Sequence, residues 1–375
     1  MIPFSNIDRQ YKSLREEILH VTDQVLTSGN VVDGDFTKQF EKWLAAKNHA
    51  KHAITCTSGT VALEIIAKYT KELICNAINR SPTIIIPSIT YPATANAFAN
   101  AGWDLCFADV DQYGLIKPET IPTNSSHYMP YYMTVLVGLY GSSVECKNKG
   151  DDDLVIEDAA QHWLSNDCQR CGISSAISFD PTKNFGNYGN GGAIVTNDGF
   201  LSEYAHAYRN NGKPTNNYIG SNLRMSEVDC AQLMIKSKYI DEWQQRRKDI
   251  FRYWMTEFKE QGLNVLIDEN HFDKHSYHKF VISCNNRDNM AKKLHAAGIQ
   301  TKVHYDTPVF KLGSFQHYPN PGMFSTADML SRSVLSLPCY PELTDSEIEY
   351  IAESVIKFNP SKKNNIYYDY VKTRL

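Results

Sequence analysis

The sequence predicts an α/β fold. Residues 1–240 read as a large three-layer unit with a mostly parallel sheet between helices, and residues 241–375 as a smaller α+β unit. Three observations carry this reading. From residue 50 onward, short apolar runs of strand length alternate with runs of helix length, which implies a parallel sheet covered on both faces. After about residue 225 the alternation stops and a long helical stretch begins. The chain has 375 residues, 42% hydrophobic and 21% charged. At roughly 150 residues per domain, that is enough for two domains with sizeable cores.

Residues 10–27 place apolar side chains at helical spacing, and Ser28-Gly29-Asn30 ends the run. A second helix follows at 35–46, around Phe36, Phe40 and Trp43. AITC (53–56) is a strand, after which Ser58-Gly59-Thr60 turns into the helix VALEIIAKYT. TIIIP is the next strand, ATANAFANAG a helix, and DLCFADV and TVLVGLYG are strands. DLVIED, ISSAISF and GAIVT complete the large unit's strands. Residues 226–260 read as one long helical stretch leading into the smaller unit, where HKFVISC is a strand and 289–298 and 344–358 are helices. The segment 147–153 (KNKGDDD) reads as a solvated turn and 361–375 as a loose polar tail.

A formal net charge of -4 argues against nucleic acid or an anionic membrane as the main partner, because both require a basic face. No apolar run reaches the roughly 18 residues that span a bilayer. The first residues lack a signal-peptide pattern, so a cytoplasmic location is expected. Nine irregularly spaced cysteines read as reduced thiols. Cys168 and Cys171 form a CxxC. Zinc there would need two more ligands, His162 being one candidate, and surface-loop thiols are the ordinary reading, so no metal is expected.

Four segments carry chemistry, each with an ordinary reading when taken alone. Lys183 follows a strand ending at Ser178-Phe179 and precedes glycines 186, 189, 191 and 192. The glycines lead into a strand and follow the lysine, so this is neither a dinucleotide fingerprint nor a P-loop. Alone, it is a lysine in a glycine-rich hairpin. Partial desolvation there would lower its pKa and make the amine nucleophilic. Asp158 ends another strand, where ligands sit in open α/β sheets. It is either a helix N-cap or the anionic partner of a pyridine nitrogen, with Gln161 placed to donate to a ring hydroxyl. Ser58-Gly59-Thr60 opens a helix, as an ordinary cap or as a phosphate grip. Tyr91 lies between a strand and a helix, as core packing or as a ring that stacks on a flat cofactor. Together the four supply what a pyridoxal phosphate site requires.

These segments resemble the DegT/DnrJ group of sugar aminotransferases, of the aspartate-aminotransferase fold type. The resemblance covers nearly the whole chain, and VIEDAAQ and SFDPTKNFGNYGNGGAIVT are its most specific stretches. It implies pyridoxal 5'-phosphate as cofactor, with Lys183 as Schiff-base lysine and proton shuttle. It places Asp158 at the pyridine nitrogen, Gln161 at the ring hydroxyl and Tyr91 on the ring. Gly59, Thr60 and Ser178 take the phosphate, and Asn222 reaches the phosphate of a neighbouring subunit's cofactor in a homodimer. His304 and Tyr305 are placed near the substrate or are a plain strand end. The implied reaction moves an amino group from L-glutamate to a keto-sugar, nucleotide-linked, in amino-sugar and surface polysaccharide biosynthesis.

Two departures stand out. Gly138 occupies the place of a family histidine in VLVGLYG, and WLSNDCQRC replaces a segment of small residues. Three alternatives remain: a sugar dehydratase, whose family members carry histidine in place of Lys183; an aminotransferase for a keto-sugar acid without a nucleotide; and a non-catalytic binding or regulatory protein.

Overall fold

The computed structural model describes residues 1–78, 82–117, 120, 132–144, 155–165, 172–318 and 324–359. Helix α1 (Ile7–Ser28) forms because Leu14, Ile18, Val21 and Val25 recur on one face, which is buried. The Asn6 side chain caps its start, and Gly29 ends it at φ 69°, the left-handed conformation that costs glycine least. Helix α2 (Asp35–Lys47) begins against a distant carboxylate. Glu227 accepts from the backbone N–H groups of Gly34, Phe36 and Thr37 at 2.8, 2.6 and 3.1 Å, satisfying donors that a helix start leaves orphaned.

The main sheet comprises β1 (His52–Cys56), β2 (Thr83–Pro87), β3 (Asp104–Ala108), β4 (Tyr132–Val137), β5 (Val155–Asp158), β6 (Ser174–Ser178) and β7 (Gly192–Thr196). Their order is β1-β7-β6-β5-β4-β2-β3. The pairs from β6 through β3 are parallel, and β7 alone runs against its neighbours β1 and β6. One edge therefore collects the carboxyl ends of β1, β2, β4, β5 and β6 together with the amino end of β7.

Both faces of the sheet are covered. Ile54, Ala176 and Ile194 pack with residues of α3 (Gly59–Ile78) and α4 (Pro92–Asn100), such as Leu63, Ile66 and Phe98. The alternate positions Ala53, Ile177, Ala193 and Val195 pack with Phe40 and Leu44 of α2 and Leu233 of α6 (Glu227–Ser237). Helix α5 (Gly199–Tyr208) adds Leu201, Tyr204 and Ala205 to the first face. This is the expected three-layer arrangement.

A second core forms around a three-stranded antiparallel sheet of β8 (Asn264–Val265), β9 (Phe280–Ser283) and β10 (Val334–Leu337), ordered β10-β9-β8. Ile250, Phe251, Trp254 and Phe258 of α7 (Ile240–Glu260) pack on it with residues of α8 (Arg287–Ala296) and α10 (Asp345–Phe358). Ile2, from the far end of the chain, joins this cluster and bridges Ile299.

The single helical stretch expected over 226–260 is two helices, α6 and α7, separated by Lys238 and Tyr239. No proline or glycine marks the break. It arises because Cys230 and Leu233 belong to the main core, whereas Ile250 onward belongs to the second, so one straight helix cannot serve both. Four elements not expected from the sequence are α5, β8, α9 (Ser325–Ser333) and β10. Among the described residues no helix is long and apolar enough to cross a membrane. The segment 147–153, the tail 361–375, Cys146, Cys168 and Cys171 lie outside the described residues.

Candidate active site

The edge where the strand ends meet is hollowed into a cleft of about 460 Å³. Gly59, Thr60, Tyr91, Asp158, Gln161, Ser178, Lys183, His304 and Tyr305 all line it. Nine of the ten site residues expected from the sequence are thus brought together. Asn222 is the exception. It is exposed, accepts from Arg224 Nε at 3.3 Å and lies outside the cleft.

The α3 start is built for close approach. Ser58 Oγ accepts from Val61 N at 3.2 Å, capping the helix. A Cβ on Gly59 would lie 2.8 Å from Ser178 Cβ, and one on Gly192 would lie 2.3 Å from the Ser58 carbonyl carbon. Only glycine lets the first turn of α3 rest on the ends of β6 and β7. The positive end of α3 therefore opens into the cleft beside the hydroxyls of Thr60 and Ser178, a donor set that fits a phosphate.

At the end of β5, the buried Asp158 carboxylate is oriented from two sides. Thr94 Oγ1 donates to Oδ2 at 2.8 Å, and Ala160 N donates to Oδ1 at 3.2 Å. Gln161 accepts from Tyr140 N at 2.9 Å through Oε1, and its Nε2 donates to the Tyr305 hydroxyl at 3.3 Å. Tyr91, 57% exposed, stands at the start of α4 with its ring centroid 6.0 Å from that of Tyr305.

Lys183 is carried by the loop after β6, its backbone N–H donating to the Asp180 carbonyl at 2.9 Å. Among the described residues its amine makes no hydrogen bond or ion pair. Burial pushes its pKa down, opposed in part by the charges of Asp158 and Asp180. An unpartnered, desolvated amine facing a fixed carboxylate and a helix start fits a cofactor that carries an aldehyde, a basic ring nitrogen and a phosphate.

His304 Nδ1 lies 2.8 Å from Ser336 Oγ. Burial, aided by the charges of Lys279, Lys302 and Lys183, holds its pKa down to about 3, so the ring is neutral at ordinary pH. Burial pushes the Tyr305 hydroxyl up, keeping it protonated. The cleft also contains His278, Lys279 and Asn190, which sequence reasoning did not single out, and Thr94, behind Asp158, was missed too. Thr94 had a usable signal, lying three residues after Tyr91 and so on the same side of a helix start. Lys279 had none, because it reads as part of a strand.

The departure at Gly138 has a steric cause. A Cβ there would lie 2.1 Å from His162 Nδ1 and 2.2 Å from His162 Cγ. The His162 ring, buried with Nε2 2.6 Å from Glu157 Oε1, occupies the volume a larger residue at 138 would need. Among the described residues no group of three or more His, Cys, Asp or Glu side chains is arranged to hold a metal.

A sequence model described as the DegT/DnrJ/EryC1/StrS aminotransferase family matches residues 12–356. The chain is 31% identical to a protein of Geobacillus stearothermophilus named "Pleiotropic regulatory protein", over 95% of this chain and 98% of that one. It is 30% identical to the dTDP-3-amino-3,6-dideoxy-alpha-D-galactopyranose transaminase of Aneurinibacillus thermoaerophilus, over 96% of this chain and 99% of that one. Its structure is similar to the crystal structure of NtdA from Bacillus subtilis with bound cofactor PMP. That match has a TM-score of 0.84 and 26% identity, covering 95% of this chain and 85% of that one.

Proposed function

The chain belongs to the DegT/DnrJ/EryC1/StrS aminotransferase family, and from that premise we propose that it transfers an amino group from L-glutamate to a nucleotide-linked keto-sugar, using pyridoxal 5'-phosphate. One observation carries this reading: the unpartnered amine of Lys183, the oriented carboxylate of Asp158 and the open start of α3 face one cleft. The similarity to a dTDP-sugar transaminase over nearly the full length supports the sugar class. Lys183 argues against a dehydratase, whose family members carry histidine there. The relative named as a regulatory protein does not favour a non-catalytic role, since Lys183 and Asp158 are both intact here.

We assign the cofactor to Lys183 through its amine, to Asp158 at the ring nitrogen, to Gln161 at the ring hydroxyl and to Tyr91 at the ring face. The phosphate belongs to Gly59, Thr60 and Ser178. When bound, the cofactor supplies a ring that draws electron density away from the substrate's α-carbon. The protein supplies the rest. Asp158 sets a carboxylate where the ring nitrogen would hold its proton, and Thr94 fixes its orientation. Lys183, with its lowered pKa, takes the proton from the donor's α-carbon. The neutral rings of His304 and Tyr305 wall the cleft without adding charge.

We further propose a cytoplasmic homodimer in which Asn222 reaches the neighbouring subunit's cofactor phosphate. Its exposure outside its own cleft supports this, as does Ile219, 96% exposed on the same segment. The α7 start at Ile240 supports the boundary between residues 1–240 and 241–375. The test is the visible absorption spectrum of the protein with pyridoxal 5'-phosphate, before and after L-glutamate. The expected outcome is a yellow band that glutamate bleaches. A protein that stays colourless with added cofactor overturns the reading.

A further inference from the structure

The geometry points to Lys279 as the residue that receives the carboxylate of the amino-acid donor, an assignment that rests on the aminotransferase reading above. Lys183 and Lys279 are the cationic side chains among the described residues lining the cleft, and no arginine lines it. Lys279 is 9% exposed. Among the described residues its amine has no carboxylate partner, and Nζ lies 4.9 Å from the centroid of the Phe4 ring. The main charges acting on it are of its own sign, from Lys183, Arg247 and Lys302, with Asp180 opposing them less strongly. Burial first, and then these like charges, push its pKa well below the usual lysine range, so the amine holds its proton poorly until an anion arrives beside it.

The donor necessarily brings such an anion. An L-amino acid whose α-carbon sits at Lys183 carries its α-carboxylate one bond away, into the same water-poor cleft. Lys183 is committed to the cofactor and the α-proton. Arg247 is not among the residues lining the cleft; it lines a smaller adjoining cavity that shares Lys183 and Lys279 with it, and its NH1 donates to the Cys339 carbonyl at 2.7 Å. Asp158 would repel a carboxylate. Lys279 remains, and it is held in place: its backbone N–H donates to the Tyr140 carbonyl at 2.9 Å, and Tyr140 N donates to Gln161. The backbone of Lys279 is thus tied to the turn that also orients Gln161.

The test uses the full chain loaded with pyridoxal 5'-phosphate. Lys279→Met and Lys279→Gln remove the charge, the first keeping length and the second polarity, and Lys279→Arg keeps the charge. The bleaching of the yellow band is titrated with L-glutamate. Loss of one charge-assisted hydrogen bond should raise the half-saturating concentration about tenfold to a hundredfold in the Met and Gln variants. The unliganded band should be unchanged, and Lys279→Arg should recover part of the loss. Neutral variants that titrate like wild type overturn the assignment. So does a loss confined to the second half-reaction, which would move Lys279 to an acidic group of the sugar. A wild-type protein that shows no band or no bleaching would instead count against the functional reading itself.

Discussion

Lys183 and Lys236 bracket the same glycine-rich loop from opposite sides, and both amines have left bulk water. Lys236, 0% exposed on α6, donates to the Gly186 carbonyl at 2.6 Å and lies 3.6 Å from the centroid of the Tyr188 ring. Lys183, three residues before that carbonyl, faces the cleft with no partner among the described residues. Burial lowers both pKa values, that of Lys236 from its ordinary 10.5 to about 7. Desolvation alone therefore does not make a reactive lysine. What separates the two is whether the fold gives the amine a ring and a carbonyl or turns it into the cleft.

The sharpest break of this comparison is to delete each amine in turn. Lys183→Ala should lower transamination by about a thousandfold or more with the circular dichroism spectrum unchanged. Lys236→Met should leave the chemistry within tenfold of wild type. Comparable losses in both variants would erase the distinction. Next in size is Asp158→Asn, which keeps the shape but removes the charge that faces Lys183. It should lower kcat on the order of a hundredfold.

The buried but partnered amine makes a thermodynamic prediction. Its folded pKa of about 7 lies below its unfolded value near 10.5. The unfolded chain therefore binds more protons between these values, and Lys236 should make wild-type stability rise with pH across this window. Lys236→Met should remove that rise, read as a flatter dependence of Tm on pH from 7 to 10. An unchanged slope would place the amine in water. The smallest effect is expected from Thr94→Val, which removes one hydrogen bond to Asp158 at a cost of about 1 kcal/mol, or about fivefold in kcat/KM.

The same contrast explains what the sequence could disclose. Lys183, Asp158 and the Ser58-Gly59-Thr60 turn were legible because each sits at the end of an apolar strand, a local pattern that itself marks the ligand edge of a parallel sheet. Lys279 and Lys236 were not. One reads as a strand residue and the other as a helix residue, and what sets them apart is contributed by segments far away in sequence: Phe4 and Lys183 for the first, Gly186 and Tyr188 for the second. The break between α6 and α7 was hidden for a similar reason, since the change of core that forces it carries no local breaker residue.

Gly138 and His162 share one volume, and this sets a direction for how their sequences can change. A bulky residue at 138 is barred while the imidazole stays at 162, because the first added carbon would already lie 2.1 Å from the ring. Position 162 must shrink before 138 can grow, and the intermediate, small at both, would lack the imidazole that meets Glu157 Oε1. A lineage can therefore pass between the two arrangements only through a loosened ancestor, never through a crowded one.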